Sequence, residues 1–182
     1  MNKTLWTPSE EWLRDAQITR FMAYVDERWG TGAAGDYFAL QAWAVAHPEP
    51  FWSAVWDFCG VQAGSRGDAV LLEGDRFPGA RWFPEARLNF AENLLRSRDE
   101  TPALISLLEN GERRELTHAG LYRQVAGLAA ALRAEGVVAG DRVAGFMPNI
   151  PEAVIAMLAA ASIGAIWSSC SPDFGINGVM DR

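Results

Sequence analysis

The chain has 182 residues, of which 49% are hydrophobic and 21% are charged, proportions typical of a soluble globular protein rather than a disordered one. Its net charge of −7 argues against a surface for nucleic acid or anionic membrane, because both require a basic patch. Lys3 is the single lysine and lies near the terminus, so it is a poor candidate for the ammonium group that ATP-binding enzymes place on phosphates.

The cysteines and the apolar stretches of the sequence indicate the cellular compartment of the protein. Cys59 and Cys170 lie far apart, which favours neither a disulfide scaffold nor a metal site and suits a reducing cytoplasm. The first residues lack the apolar core of a signal peptide. The longest apolar stretch, residues 153–167, is shorter than the roughly 20 residues that cross a bilayer. We therefore expect a cytoplasmic protein without a membrane span.

Residues 1–100 are predicted to form a helical, aromatic-rich region. A second helix is expected from Asp36, and Pro48 and Pro50 separate it from a third. Seven of the eight tryptophans precede residue 83, a density typical of a core or a docking surface. The first helix is predicted from one apolar stripe that stops at Gly30, formed by Ile18, Phe21, Met22, Val25 and Trp29.

A loop and a short helix are expected at the end of this region. Residues 75–84 contain two prolines and one glycine, which favours an irregular, aromatic-rich loop. Asn89, followed three residues later by Glu92, resembles a capping box that opens a short helix.

Residues 101–182 show the pattern of an α/β region. A hairpin is predicted over 103–116, with its turn at Asn110 and Gly111. A helix is predicted over 117–136, because it begins at a threonine cap and ends at a glycine followed by valine.

A strand–helix–strand unit completes the predicted fold. Its strands are 143–147 and 165–169, and the helix between them has Asn149 as its cap and Pro151 in its first turn. The strands should be parallel with a right-handed crossover. Such a sheet requires cover on both faces and further strands, yet the sequence reaches only Arg182. The predicted fold class is α/β: a helical, aromatic-rich N-terminal region followed by an incomplete, mainly parallel βαβ sheet, with exposed apolar surface.

Few residues suggest a chemical site. Gly30–Gly35 matches G-x-G-x-x-G, but it follows a helical pattern and is interpreted as a helix–helix connection. His47 and His118 lack the spacing of a catalytic or metal site and suit surface or capping positions. The polar run 168–171 follows a parallel strand, where ligands bind in open α/β sheets, although a plain polar turn is the alternative.

Several motifs together resemble acetoacetyl-CoA synthetases. In the helical region these are Leu-Trp-Thr-Pro-Ser at 5–9, Tyr-Phe-Ala-Leu-Gln-Ala-Trp at 37–43 and Leu-Asn-Phe-Ala-Glu-Asn at 88–93. Gly-Asp-Arg-Val at 140–143 and Met-Pro-Asn-Ile-Pro-Glu-Ala at 147–153 are similar to motifs shared more widely by adenylate-forming acyl-CoA synthetases. Ser-Pro-Asp-Phe-Gly at 171–175 favours the acetoacetyl branch over the acetyl branch.

This resemblance implies a ligase that joins acetoacetate to CoA with ATP and Mg²⁺. The family's phosphate loop, adenine-binding and Mg²⁺-binding motifs and adenylation lysine lie C-terminal to residue 182. No catalytic or metal-binding residue is therefore expected here, the missing C-terminal part is the expected partner, and the isolated chain should be inactive. In related acetyl-CoA synthetases the loop after the second strand approaches CoA. It corresponds to Ser171, Pro172 and Asp173, which differ from the glycine-containing acetyl version.

Two other functions stay open on the sequence alone. The chain could be a non-catalytic interaction module derived from such an enzyme, docking through its tryptophans. It could also belong to an acetyl- or propionyl-CoA synthetase, since the acyl pocket lies outside these residues. Reading the gene beyond codon 182 separates a module from a part of an enzyme.

Overall fold

The structure, a computed structural model, describes residues 5–182, so the interpretation of Lys3 falls outside the described residues. Two compact units are present. The first comprises the chain up to Val61 together with Ser65–Ala86, and the second comprises Gln62–Gly64 together with Arg87–Arg182. The sequence predicted a boundary at residue 100 between a helical region and an α/β region. That boundary separates regions of a protein family, and it stays a prediction.

Four helices dominate the first unit. They are α1 (Glu10–Asp15), α2 (Gln17–Trp29), α3 (Tyr37–Ala46) and α4 (Pro48–Phe58). The three predicted helices correspond to α2, α3 and α4. Sequence reasoning missed α1, although its start carries a local signal: the hydroxyl of Ser9 accepts a hydrogen bond from the Trp12 amide at 3.2 Å.

The core of the first unit forms where α2, α3 and α4 meet. Only the middle of the predicted stripe is buried, since Ile18 and Trp29 lie at the ends of α2 and are exposed. Phe21 packs edge-on against Phe51 and Phe58, with ring centroids 5.9 and 5.2 Å apart. The buried side chains are Phe21, Met22, Val25, Ala33, Leu40 and Ala54.

The glycine-rich segment Gly30–Gly35 connects α2 to α3, as predicted. Gly30 ends α2 in the left-handed conformation (φ 58°), which a glycine adopts without a steric penalty. The Asp26 carboxylate accepts hydrogen bonds from the Gly32 amide at 2.6 Å and the Thr31 hydroxyl at 3.2 Å. These bonds give the connection a defined shape without a preceding strand, which a dinucleotide site would require.

The loop expected over 75–84 contains a short paired segment, so that prediction is partly wrong. Arg81–Trp82 (β2) pairs antiparallel with Leu71–Leu72 (β1). The two prolines of the loop lie on either side of β2 and leave its backbone groups available for pairing.

The second unit is α/β, which confirms the predicted fold class. Its elements are α5 (Phe90–Leu94), β3 (Pro102–Leu107), β4 (Arg113–Thr117), α6 (His118–Ala134), β5 (Arg142–Phe146), α7 (Pro151–Ser162), β6 (Ile166–Cys170) and α8 (Ile176–Met180). The hairpin β3–β4 is antiparallel, and β5 pairs with β6 in parallel across α7. Within residues 5–182, β5 and β6 have no third strand beside them.

Both ends of α6 follow from local sequence. The Thr117 hydroxyl accepts a hydrogen bond from the Gly120 amide at 3.1 Å. At the other end the Val137 amide bonds the Leu132 carbonyl, and Gly136 (φ 86°) bonds the Arg133 carbonyl, each at 3.0 Å. This pair of bonds is a Schellman motif, as the glycine–valine sequence predicted.

The start of α7 differs from the prediction. Ile150, not Asn149, is the N-cap, and it contributes no side-chain hydrogen bond. Pro151 occupies the first helical position, where its missing amide costs nothing and its fixed φ suits the helix. The proline therefore sets the start of α7 one residue later than the expected cap.

Packing between α6 and α7 forms the core of the second unit and holds the β5–α7–β6 unit in place. The buried side chains are Ala91, Leu95, Leu121, Val125, Ala129, Ile155, Leu158 and Ala159. Among residues 5–182, none of the helices combines the length and the apolar character that crossing a membrane requires.

Candidate functional site

The segment Ser171–Phe174 leaves β6 as a hydrogen-bonded β-turn. The Phe174 amide donates to the Ser171 carbonyl at 3.1 Å, and Pro172 occupies the second turn position, where its fixed φ is favoured. The Ser171 hydroxyl donates to Oδ2 of Asp173 at 2.8 Å. Proline and a short acidic side chain thus give this loop a defined form.

The turn lies beyond the carboxyl ends of two neighbouring parallel strands. Phe146 of β5 is in register with Cys170 of β6, and the Met147 amide continues the ladder to the Cys170 carbonyl at 3.2 Å. Ligands of open α/β sheets bind at this edge. The structure therefore brings Ser171, Pro172 and Asp173 together at the sheet edge where a ligand site is expected.

The turn offers binding groups rather than catalytic ones. Pro172 and Asp173 are exposed and Ser171 is half-buried. His47 caps α4 in the first unit, and His118 opens α6 in the second, so both occupy the surface or capping positions that the sequence predicted. Across residues 5–182 no three His, Cys, Asp or Glu side chains form a group that could hold a metal ion.

The polar run before the turn divides between the two faces of the sheet. Ser168, Ser169 and Cys170 all border a cavity of about 240 Å³, together with Val179 and Arg182. The side chains of Ser168 and Cys170 lie on one face of the sheet, and the side chain of Ser169 lies on the other by strand alternation. The run is therefore not a single polar site.

An ion pair anchors the first turn of α7 to β4. Nη2 of Arg114 lies 2.6 Å from Oε1 of Glu152. The hydrogen bond from Arg114 lowers the pKa of Glu152, and the same bond raises the pKa of Arg114. Glu152 is an acid in the first turn of α7, where the helix dipole favours a negative charge, but its partner is 38 positions away and leaves no local signal.

Two family models match the chain. The model described as AMP-binding enzyme matches residues 90–180, half of the chain, and the model described as acetyl-coenzyme A synthetase N-terminus matches residues 37–94. The first match covers β3 to α8, including the sheet and the turn at its edge.

Known relatives match the whole chain. An acetoacetyl-coenzyme A synthetase of Rhizobium meliloti is 49% identical over 99% of this chain, and one from Danio rerio is 44% identical over all of it. The solved acetoacetyl-CoA synthetase of Streptomyces lividans superposes with a TM-score of 0.89 at 48% identity and covers the entire chain. This chain spans 27% of the length of the first two relatives and 28% of the third. The chain therefore belongs to the AMP-binding enzyme family, and within it is similar to the N-terminal part of acetoacetyl-CoA synthetases.

Proposed function

We propose that this chain forms the N-terminal part of an acetoacetate–CoA ligase, an enzyme that converts acetoacetate, ATP and CoA to acetoacetyl-CoA, AMP and pyrophosphate. The observation that supports the proposal is the similarity of the whole chain, in sequence and in backbone, to acetoacetyl-CoA synthetases. Because the chain spans about a quarter of their length, the complete activity belongs to a longer polypeptide.

The reaction has two steps. A carboxylate oxygen of acetoacetate attacks the α-phosphorus of ATP and expels pyrophosphate, and the CoA sulfur then attacks the acyl carbon and expels AMP. Mg²⁺ neutralises phosphate charge in such transfers. In this proposal the Mg²⁺ ligands belong to the rest of the enzyme, where the resemblance places the family's Mg²⁺-binding motif.

The described residues contribute scaffold and one wall of the CoA site. In this proposal the turn Ser171–Phe174 faces CoA, because it lies at the ligand-binding edge of the parallel sheet and exposes Pro172 and a carboxylate. The remaining C-terminal part of the enzyme is the partner that supplies the acetoacetate and ATP sites. A cytoplasmic location suits an enzyme that uses ATP and CoA and has two widely separated cysteines.

Acetoacetate-dependent exchange between ATP and pyrophosphate tests the proposal. The 182-residue chain alone should show no exchange, whereas the polypeptide extended by the codons after 182 should show exchange that requires acetoacetate. Turnover by the chain alone would overturn its proposed inactivity. An extended protein that exchanges equally well without acetoacetate would overturn the ligase assignment.

The CoA-facing turn is tested separately in the extended enzyme. Asp173→Ala should raise KM for CoA about three- to tenfold, the effect of losing one hydrogen-bonding group, while ATP–pyrophosphate exchange is unchanged. Asp75→Ala, an exposed acid in the first unit, is the matched control. An unchanged KM for CoA in Asp173→Ala and Ser171→Ala together would remove this turn from the CoA site.

A second candidate is a synthetase of another short acid, acetate or propionate. The match of residues 37–94 to an acetyl-coenzyme A synthetase model supports it. Comparison of kcat/KM for the three acids in the extended enzyme decides between them, with acetoacetate expected to be preferred. The independent interaction module is not favoured, because the similarity to complete enzymes extends over the whole chain.

A further inference from the structure

Phe174, the last residue of the turn that begins at Ser171, is contacted by two residues of the chain that follows it. The guanidinium carbon of Arg182 lies 4.1 Å from the centroid of the Phe174 ring, which is the geometry of a cation–π contact. Gly178 lies against the ring edge, and a Cβ added there would be 3.1 Å from Cδ1 of Phe174. We name this arrangement of Phe174, Gly178 and Arg182 the ring contact.

The short helix α8 brings the three residues of the ring contact together. Each is four positions from the next, a spacing that places side chains on one side of a helix. The Val179 amide donates to the Gly175 carbonyl at 3.1 Å, and the Arg182 amide donates to the Val179 carbonyl at 3.2 Å. The helical path therefore runs slightly beyond α8 and carries Arg182 back towards Phe174.

The guanidinium of Arg182 is directed at neutral groups. Its Nη1 donates to the Gly178 carbonyl at 2.8 Å. None of the ion pairs found among residues 5–182 includes Arg182. Because a guanidinium is planar, it stacks on an aromatic ring while its edge still donates hydrogen bonds. The ring contact thus holds Arg182 without a carboxylate.

The ring contact acts on the turn through the backbone of Phe174. The Phe174 amide donates to the Ser171 carbonyl, and this bond closes the turn that exposes Pro172 and Asp173. The ring of Phe174 also borders a cavity of about 320 Å³ beside Phe146, at the carboxyl end of β5. A ring that is fixed on α8 limits the movement of the residue that closes the turn.

We propose that Arg182 is a positioning residue for CoA, because its contact with Phe174 holds the turn Ser171–Phe174 in the form that receives CoA. The inference rests on the proposed function, in which this turn faces CoA. A turn that is already ordered loses less conformational entropy when its ligand binds. Loss of the ring contact should therefore weaken CoA binding and leave the formation of the adenylate unchanged.

Arg182→Ala in the extended enzyme tests the proposal. KM for CoA should rise about two- to fivefold, the change that corresponds to the loss of one exposed cation–π contact. Acetoacetate-dependent ATP–pyrophosphate exchange should be unchanged, because that half-reaction takes place without CoA. Arg123→Ala, at an exposed arginine of α6, is the matched control and should change neither quantity. An unchanged KM for CoA in Arg182→Ala would overturn the inference.

A double-mutant cycle identifies the contact through which Arg182 acts. Phe174→Leu keeps an apolar side chain and removes the aromatic face. In this background Arg182→Ala should change KM for CoA by less than about 1.5-fold, because the two residues act as one unit. The same two- to fivefold rise in both backgrounds would show that Arg182 acts without Phe174 and would contradict the inference. The thermal unfolding midpoint reports whether each variant folds.

Pantetheine distinguishes positioning from direct binding of a phosphate group. It has the thiol arm of CoA and no phosphate, whereas arginine is a common phosphate ligand. Arg182→Ala should lower kcat/KM by the same factor with pantetheine as with CoA. A loss that occurs with CoA alone would mean that Arg182 binds phosphate itself, and the inference would then be wrong.

Amide hydrogen exchange measures the ring contact without CoA. In the extended protein, the Phe174 amide should exchange about two- to fivefold faster in Arg182→Ala, because the turn opens more often. Faster exchange with an unchanged KM for CoA would overturn the inference and would also remove the turn from the CoA site. Equal exchange rates in the two proteins would disprove the effect of Arg182 on the turn.

Failure of the ligase proposal has a different signature. If the extended protein shows no acetoacetate-dependent exchange of ATP and pyrophosphate, its Kd for CoA is measured by titration calorimetry. A Kd that is two- to fivefold higher in Arg182→Ala would support the inference although the ligase assignment had failed. An equal Kd in the two proteins would contradict both.

Discussion

Asn93 joins three backbone groups of the second unit through one side chain, and we expect Asn93→Ala to destabilise that unit by about 2 kcal/mol. Its Oδ1 accepts from the Gln62 amide at 2.8 Å, and its Nδ2 donates to the Gln62 carbonyl at 2.9 Å and the Asn89 carbonyl at 3.0 Å. The two bonds to Gln62 are exposed, so water replaces them readily and each contributes only ~0.5 kcal/mol. The partly buried bond to Asn89 contributes ~1 kcal/mol.

Amide hydrogen exchange resolves this effect by region. A loss of about 2 kcal/mol accelerates exchange about 30-fold at amides that open only with the whole unit. These amides are expected in the middle of α6 and α7. Asn177→Ala is the control, because Asn177 is exposed and its side chain makes no hydrogen bond among the described contacts. Faster exchange confined to Gln62, with α6 and α7 unchanged, would refute a role for Asn93 in the stability of the unit.

The same position predicts a pH effect. In Asn93→Asp, one carboxylate oxygen can still accept from the Gln62 amide, but the other faces two carbonyl oxygens. The neutral acid can donate one hydrogen bond, so the pKa of this carboxyl should be raised in the folded state. The destabilisation is therefore present above the raised pKa and decreases as the pH falls through it. A penalty that grows on acidification would contradict the observed bonding.

Three further substitutions test packing, charge and capping. Gly145→Ala should cost about 1–3 kcal/mol in urea unfolding because of its contact with Trp167, and an equal cost in a Trp167→Leu background would disprove the clash. The hydrogen bond from Arg114 lowers the pKa of Glu152 in the folded protein. The ion pair therefore stabilises the fold fully at pH values above the ordinary glutamate pKa of about 4.3. This stabilisation is lost as the pH falls through the lower pKa of the folded state. Glu152→Gln should slightly flatten the acid side of the unfolding-midpoint profile, since both side chains are about half exposed; a steeper profile would contradict the pairing. Asp36→Ala should cost ~1 kcal/mol by thermal unfolding and Asp36→Ser much less, and equal losses would argue against capping.

Local features, which involve only residues close to one another in the sequence, were predictable from the sequence. The caps at Asp36 and Thr117 and the Schellman motif at Gly136 involve residues within a few positions of one another. The predicted cap at Asn149 was wrong because Pro151 sets the first helical position, and a proline one residue after Ile150 is itself a local signal.

Features that depend on distant partners were not predictable in this way. The two-residue strands β1 and β2 exist only because they pair with each other. The ion pair of Arg114 with Glu152 joins β4 to α7. The five-residue helix α8 is too short for a periodic pattern to indicate it. The turn at Ser171–Phe174 could be located from the sequence, but its use for CoA stays a prediction.

The amino-acid sequence by itself determined the family, the α/β class and the order of helices and strands from α5 to β6, because these depend on local motifs and on hydrophobic periodicity. It also showed that the sheet required further cover. Only the tertiary structure decided which face of β5–β6 is open. That choice depends on the side of the strands against which α7 packs and on the register that places Phe146 and Ile166 together, and both are set by contacts between residues distant in the chain.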